Sequence, residues 1–272
     1  MNKNRTIEVM GIVNLTDDSY FSESRCSDVQ AALDRVGVML DEGADIIDIG
    51  ACSTRPGSLP VGADEEWRRL EAVLKAIKDR FPDVRISIDT YWASVVEKAY
   101  DLIGSFIVND ISAGEDDPDM LSAVGRLGLE YVAMHKRGTP ENMQDNTSYD
   151  DLVGEVLQYF KIFSEKAKKY GIRKWILDPG FGFSKTIEQN YKLLQSISQF
   201  KESMYSGESP VAVLVGVSRK SMIYKRFGIT PAESLPATQV LHFYALQNGA
   251  DILRVHDVAE AKRTIELYRK LF

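Results

Sequence analysis

Apolar residues recur with two different spacings along this chain, and the two alternate from one end to the other. Short runs rich in Val, Ile and Leu stand at Glu8–Val13, Asp45–Ile49, Arg85–Asp89, Phe106–Asp110, Glu130–His135, Trp175–Asp178, Val211–Val217 and Ile252–His256. Several are almost continuously apolar, the pattern of strands covered on both faces. Between them the apolar positions fall three or four apart. Val29, Ala32, Val36 and Met39 form one stripe, Trp67, Leu70, Leu74 and Ile77 another, and Leu152, Val156, Phe160, Phe163 and Ala167 a third. Each is the single apolar face of an amphipathic helix. Strand and helix in alternation predict a parallel sheet, because parallel neighbours need a crossover to bring the chain back. Eight such units in 272 residues predict an α/β fold, a (β/α)8 TIM barrel in a single domain spanning 1–272. An open, doubly wound sheet is the competing arrangement.

In a barrel the C-terminal ends of the strands build the site, so those positions carry the chemistry. They hold Asn14, Asp48, Asp89, Asn109, His135, Asp178, the run Ser218-Arg219-Lys220, and Arg254 with His256. Any one of these alone reads as a turn or cap residue; the whole set converging on one rim does not. Asp89, Asn109 and Asp178 suit a flat heterocycle with an amidine-like edge, since carboxylates accept from adjacent N–H donors. Lys220 can donate to a ring carbonyl or nitrogen. Arg254 and His256 lie two apart on one strand and so share a face; with Arg55 they can hold a phosphate or diphosphate. The residues thus describe a heterocycle bound beside an anionic leaving group.

Other features read as structure. His135 at the end of an apolar run fits a hydrogen-bonded structural histidine, Asp110 fits a cap on the following turn, and His242 receives no role. Gly180-Phe181-Gly182 lacks the third glycine of a dinucleotide fingerprint, Ser218 lacks the G-x-S-x-G elbow, and no histidine spacing suits a permanent transition-metal site.

Composition narrows the class further. The apolar fraction of 44% supports a sizeable core, and Cys26 and Cys52 form no C-x-x-C pair. The start MNKNRTIEVM is polar, and the longest apolar run is far below the roughly 20 residues a membrane span requires. The expectation is a reduced, cytoplasmic, soluble protein with no membrane partner. A net charge of -7 argues against nucleic acid as a partner, but a local arginine cluster can still attract a small anion.

Eight motifs in order give a specific resemblance. They are Met10-Gly11-Ile12-Val13-Asn14-Leu15-Thr16, Ser53-Thr54-Arg55-Pro56-Gly57, Ser87-Ile88-Asp89-Thr90, Asn109-Asp110-Ile111, Met134-His135, Asp178-Pro179-Gly180-Phe181-Gly182-Phe183, Ser218-Arg219-Lys220-Ser221 and Arg254-Val255-His256-Asp257. Together they resemble the dihydropteroate synthase family over nearly the whole chain. The resemblance implies a transferase of folate biosynthesis that joins 4-aminobenzoate to a (7,8-dihydropterin-6-yl)methyl diphosphate by an SN1-like displacement. By the same resemblance Asp89, Asn109, Met134, Asp178 and Lys220 bind the pterin. Thr54, Arg55, Arg254 and His256 hold the diphosphate, and Asn14 helps place a magnesium ion. Pro56, Phe183, Lys220 and Ser221 border the aminobenzoate, and Asp89, Lys220 and Asp18 are the implied catalytic residues. It further implies sulfonamide competition and a homodimer formed through helices around Pro236–Asn248 and Val258–Leu271.

The chain departs from the family pattern in two loops. Asp17 replaces a usual proline and adds a charge, although Asp18 keeps the family aspartate. Ala51-Cys52 stands where Gly-Glu is common, with Cys52 expected as a packing residue, and Glu23-Ser24-Arg25 replaces Asp-Gly-Gly. These changes bear on loop closure and inhibitor response more than on pterin binding. Two other readings use the same barrel. One is a methyltransferase moving a methyl group from methyltetrahydrofolate to a corrinoid; the other is a pterin-binding module without turnover.

Overall fold

The computed structural model describes residues 5–15, 29–52, 61–139, 142–204 and 211–272. All eight predicted strands form: β1 (Glu8–Asn14), β2 (Ile46–Gly50), β3 (Ile86–Asp89), β4 (Ile107–Asp110), β5 (Glu130–Met134), β6 (Trp175–Asp178), β7 (Ala212–Val215) and β8 (Ile252–Val255). They pair in parallel and in sequence order, and β8 returns to β1 with Arg254 opposite Met10, so the sheet is a closed barrel. That closure decides against the open sheet.

The helices are α1 (Val29–Asp41), α2 (Ala63–Arg80), α3 (Ala93–Ile103), α4 (Met120–Leu127), α5 (Leu152–Tyr170), α6 (Ile187–Gln195), α7 (Ile197–Ser203), α8 (Ser221–Phe227), α9 (Leu235–Gln247) and α10 (Val258–Leu271). Their apolar stripes face the barrel as the spacing requires. Leu152, Val156, Phe160, Phe163 and Ala167 of α5 are all buried, and Phe163 stacks on Tyr131 of β5 at 5.7 Å. On α2, Leu70, Leu74 and Ile77 are buried with Val73 and Glu66, whereas Trp67 sits half-buried at the stripe's edge. Among the described residues no helix is long and apolar enough to cross a membrane.

Strand residues alternate between the helix layer and the barrel interior. The interior is plugged by one apolar layer of Met10, Ile46, Ile107, Val132, Ile176, Leu214 and Ile252. Each fully buried side chain of this kind contributes roughly 1.5–3 kcal/mol. At the opposite, N-terminal end, Asp45 accepts from the Val9 amide at 2.7 Å and Asp251 from the Val213 amide at 2.9 Å, which anchors strand starts. Backbone strain lies at the other end. Ala113, Ser184 and Arg219 have φ of 49, 53 and 52°, a left-handed conformation that costs a non-glycine residue about 1–3 kcal/mol. All three follow the C-terminal ends of strands, where side chains must be aimed rather than merely packed.

Candidate active site

The period of two carries the apolar plug directly into the site. Moving two residues up five of the strands converts Ile46 to Asp48, Ile107 to Asn109, Val132 to Met134, Ile176 to Asp178 and Ile252 to Arg254. These side chains therefore share the interior with Ser87 and Asp89 of β3. Gly50 keeps the rim open: a Cβ there would come within 3.3 Å of Asp89 and 3.7 Å of Asn14 Oδ1.

Arg254 holds the centre of this layer. Its Nε donates to Asp48 at 2.7 Å and its Nη2 to Asp89 at 2.7 Å. Asp48 is fully buried and also accepts from Ser87 Oγ at 2.6 Å and from Asn109 Nδ2 at 3.2 Å. The sequence places Asp48 at a strand end without a role, and expects Arg254 to serve a diphosphate. The structure adds a partnership to both, because Arg254 is the counter-ion of the Asp48 and Asp89 carboxylates before any ligand is considered. Burial pushes the Asp89 carboxyl above the ordinary carboxylate range against the pull of Arg254, and Asp48 and Asp110 add to the rise.

Across the mouth, Asp178 accepts from the Gly180 amide at 2.8 Å. Burial raises its carboxyl, opposed first by Lys220. Lys220 caps α8, donates to the Phe181 carbonyl and lies 5.0 Å over the Phe183 ring. Burial pushes its ammonium down to about 8, with Asp178 resisting. Met134 packs with Tyr91 and Ile111, joined by Cys52, Trp92 and Phe183, as an apolar slot at the rim. Cys52 is thus a packing residue, 3.8 Å from the Tyr91 hydroxyl. Ser221 opens α8 directly after Lys220.

His256 lies just beyond β8, with Nδ1 3.1 Å from Ser218 Oγ. Burial, reinforced by the neighbouring Arg254 and Arg219, pushes it down to about 3 in spite of Asp257. Its imidazole is neutral near pH 7, so it offers a hydrogen bond rather than a positive charge. Arg219 turns away from the site: it grips Asp257 through Nε and Nη2, both at 2.8 Å, and reaches the Pro231 and Ala232 carbonyls. That strut holds Ser218 and Lys220 on the rim. Asp110, expected as a turn cap, accepts from Ser112 N and Oγ, both at 2.7 Å, from Gly114 N at 2.8 Å and from the Tyr131 hydroxyl.

Sequence reading missed Lys185. Its buried ammonium donates to the carbonyls of Phe183, Gly180 and His135 at 2.9, 3.1 and 3.2 Å, and lies 3.0 Å from His135 Nδ1. Burial pushes it down to about 7 although Asp178 resists, and burial with Lys185 drives His135 down to about 2. His135 is structural, as expected, and Lys185 ties the β5 and β6 loops together. Gly180 is indispensable to that join. Its φ is +75°, and a Cβ would stand 2.0 Å from the His135 carbonyl oxygen. The residues expected from the sequence at Asp17, Asp18, Glu23–Arg25, Thr54, Arg55 and Pro56 lie outside the described residues.

Glu66 was also invisible to motif reading. It is fully buried in the first turn of α2, and neither carboxyl oxygen has a hydrogen-bond partner among the described residues. Burial pushes it from the ordinary 4.5 up to about 7 against the nearby Thr90 hydroxyl and Arg69, and Asp89 adds to the rise. Between those two values the unfolded chain releases this proton while the folded protein retains it, so stability falls as pH rises. Glu66→Gln removes the titration. Urea unfolding at pH 5 and pH 7.5 is expected to show wild type losing about 2–3 kcal/mol more than the variant over that interval. Equal losses would remove Glu66 as the source.

The family described as pterin binding enzyme matches residues 10–256, from β1 to the residue after β8. A dihydropteroate synthase from Escherichia coli K12 is 38% identical over 263 residues, covering 96% of this chain and 89% of the relative. The chain belongs to the dihydropteroate synthase family. Among solved dihydropteroate synthases, that of Yersinia pestis with a sulfonamide drug superposes with a TM-score of 0.90 at 35% identity, covering 100% of this chain and 95% of the other. That of Clostridium difficile in the presence of pteroic acid gives 0.87 at 37%, covering 99% and 98%. These dihydropteroate synthases favour the synthase reading over the methyltransferase and the binding module.

Proposed function

We propose that this chain is a transferase that joins 4-aminobenzoate to a (7,8-dihydropterin-6-yl)methyl diphosphate, forming dihydropteroate and releasing diphosphate. The observation that carries the reading is the interior layer itself. Asp89, Asn109 and Asp178 present acceptors opposite Lys220, and Arg254 and His256 stand beside them on one strand. In this reading the three acceptors and Lys220 hold the pterin, with Met134 against its face. Arg254 and His256 receive the diphosphate together with Thr54 and Arg55. Phe183, Ser221 and Pro56 border the aminobenzoate, and Asp18 remains a candidate catalytic residue.

The chemistry suits this arrangement. The C–O bond to the diphosphate breaks with its electron pair on the leaving oxygen, and the cation left behind delocalises into the electron-rich dihydropterin. The buried carboxylates stabilise that cation. The arylamine nitrogen then forms the C–N bond and gives its proton to solvent, so no strong base is needed. Lys220 contributes position, keeping the ring in register with the incoming nitrogen.

Magnesium is part of the proposal, entering with the diphosphate. Among the described residues no group of three His, Cys, Asp or Glu gathers into a metal site. A magnesium ion that keeps waters and phosphate oxygens needs only one or two protein oxygens, and the Asn14 carbonyl at the end of β1 fits that demand. When bound, the ion would neutralise charge on the leaving group.

A homodimer and a cytoplasmic location complete the reading. Val240, Leu267 and Leu271 on the packed pair α9 and α10 are 67, 61 and 68% exposed, an apolar face that a second copy would cover. Sedimentation velocity is expected to report a dimer at micromolar concentration; a monomer would refute this part. Two cysteines, Cys26 and Cys52, with no C-x-x-C pair accord with a reducing compartment.

The deciding experiment is diphosphate release from the pterin substrate with magnesium, with and without 4-aminobenzoate. Release coupled to dihydropteroate formation, and slowed by a sulfonamide, is expected. Pterin binding without release would overturn the synthase reading.

A further inference from the structure

We propose that Asp48 is a positioning residue that selects the heterocycle by fixing which end of the Asn109 amide faces it. The inference rests on the pterin reading above and adds a residue to it. Asp48 is completely buried one layer above the apolar plug, with Ser87 and Asn109 reached across two strands and Arg254 from the far side.

An asparagine side chain is symmetric in shape but not in chemistry: one end donates and the other accepts. Nothing in a β-strand decides between the two orientations. Asp48 does decide, because both its oxygens already accept, one from Ser87 Oγ and the other from Arg254 Nε, and so present acceptors to the amide. Asn109 Nδ2 lies 3.3 and 3.2 Å from its two oxygens, and turning the amide over would set oxygen against oxygen in a buried site, at the full cost of an unmade hydrogen bond. Oδ1 is therefore the end left for a ligand, and it has no hydrogen-bond partner among the described residues. Asp48 in turn cannot rotate away. Ser87 Oγ holds one oxygen at 2.6 Å and Arg254 Nε the other at 2.7 Å.

The consequence is a preference for a ring bearing an exocyclic amine over one bearing an oxygen at the same position. A buried acceptor rewards the amine and is left unpaired by the carbonyl, and sites of this kind discriminate by large factors. Asp48 also pairs with Arg254, so its loss would change the charge of the whole layer. That second effect weakens both rings alike and leaves their ratio unchanged. The ratio therefore reports the amide, and absolute affinity reports the charge.

The test compares binding of pterin and of its 2-oxo analogue, lumazine, to the full-length protein by calorimetry. Wild type is expected to prefer pterin by at least about a hundredfold. Asp48→Asn, which lets the facing amide adopt either orientation, is expected to lower that ratio by tenfold or more. If wild type prefers pterin and Asp48→Asn keeps the same ratio, Asp48 does not set the amide and the inference fails alone. If wild type shows no preference, the pterin reading falls and takes this inference with it. Should Asp48→Asn fail to fold, neutron diffraction from wild-type crystals decides. Deuterons on Asn109 Nδ2 directed at Asp48 would support the assignment, and Oδ1 in that place would overturn it.

Discussion

Asp178→Asn is expected to lower kcat/KM for the pterin diphosphate by about a thousandfold while leaving the barrel folded. Asp178 is buried, and one oxygen already serves the Gly180 amide. The other is left for the ring. Asparagine can keep the Gly180 bond through its own carbonyl, which is why little stability is lost. Its second atom, however, is a donor where the ring also presents a donor. A buried hydrogen bond to a charged group is worth roughly 1.5–3 kcal/mol, and facing donors add a desolvation cost of similar size. Together these reach the ~4 kcal/mol that a thousandfold change represents. Lys220 loses its opposing charge at the same time, since Asp178 is what holds its ammonium up against burial. Steady-state kinetics with a parallel melting curve would check this. An activity within threefold of wild type would remove Asp178 from the ring site.

Arg254→Ala is expected to cost about 3–5 kcal/mol of stability at neutral pH as well as the activity. The side chain is shared by Asp48 and Asp89, so truncation leaves two buried carboxylates facing each other without a counter-ion. The sequence expectation that Arg254 holds the diphosphate would place the loss far more on diphosphate-bearing ligands than on free pterin. The observed geometry predicts that free pterin weakens too, because Asp89 is no longer held. Acidification should restore part of the variant's stability, since protonating one carboxyl relieves the repulsion. Arg254→Lys keeps the charge without the planar fork and should fall between wild type and alanine. Urea unfolding of the three proteins at pH 5.5 and 7.5 measures all of this. A loss below about 1 kcal/mol for Arg254→Ala, independent of pH, would show that the pair is not an energetic unit.

Much of this molecule is legible along the chain. All eight strands are recognisable because a strand buried on both faces needs a nearly unbroken apolar run, and α5 because its stripe has no interruption. The strand-end residues Asp89, Asn109, Asp178 and Arg254 can be picked out as chemistry because an apolar core has no use for them. Their motifs, S-I-D-T, N-D-I, D-P-G-F-G-F and R-V-H-D, identify the family without a structure. Lys185 and Glu66 were not legible in the same way, and Asp48, placed on the rim, carried no sign of its partners. A lysine after G-F-S and a glutamate among other acids at the start of α2 each read as ordinary surface or turn residues.

Sequence alone therefore determined the class of fold, the rim on which chemistry gathers and the kind of ligand it suits, since periodicity and residue type are properties of the chain itself. Tertiary structure alone decided the partnerships. Asp48 meets Arg254 across 206 positions of sequence, Lys185 meets His135 across 50, and Glu66 is enclosed by segments that no pattern on α2 announces. Charge state, amide orientation and the burial of a carboxyl depend on what stands within a few ångströms. Those neighbours exist only once the eighth strand has closed against the first.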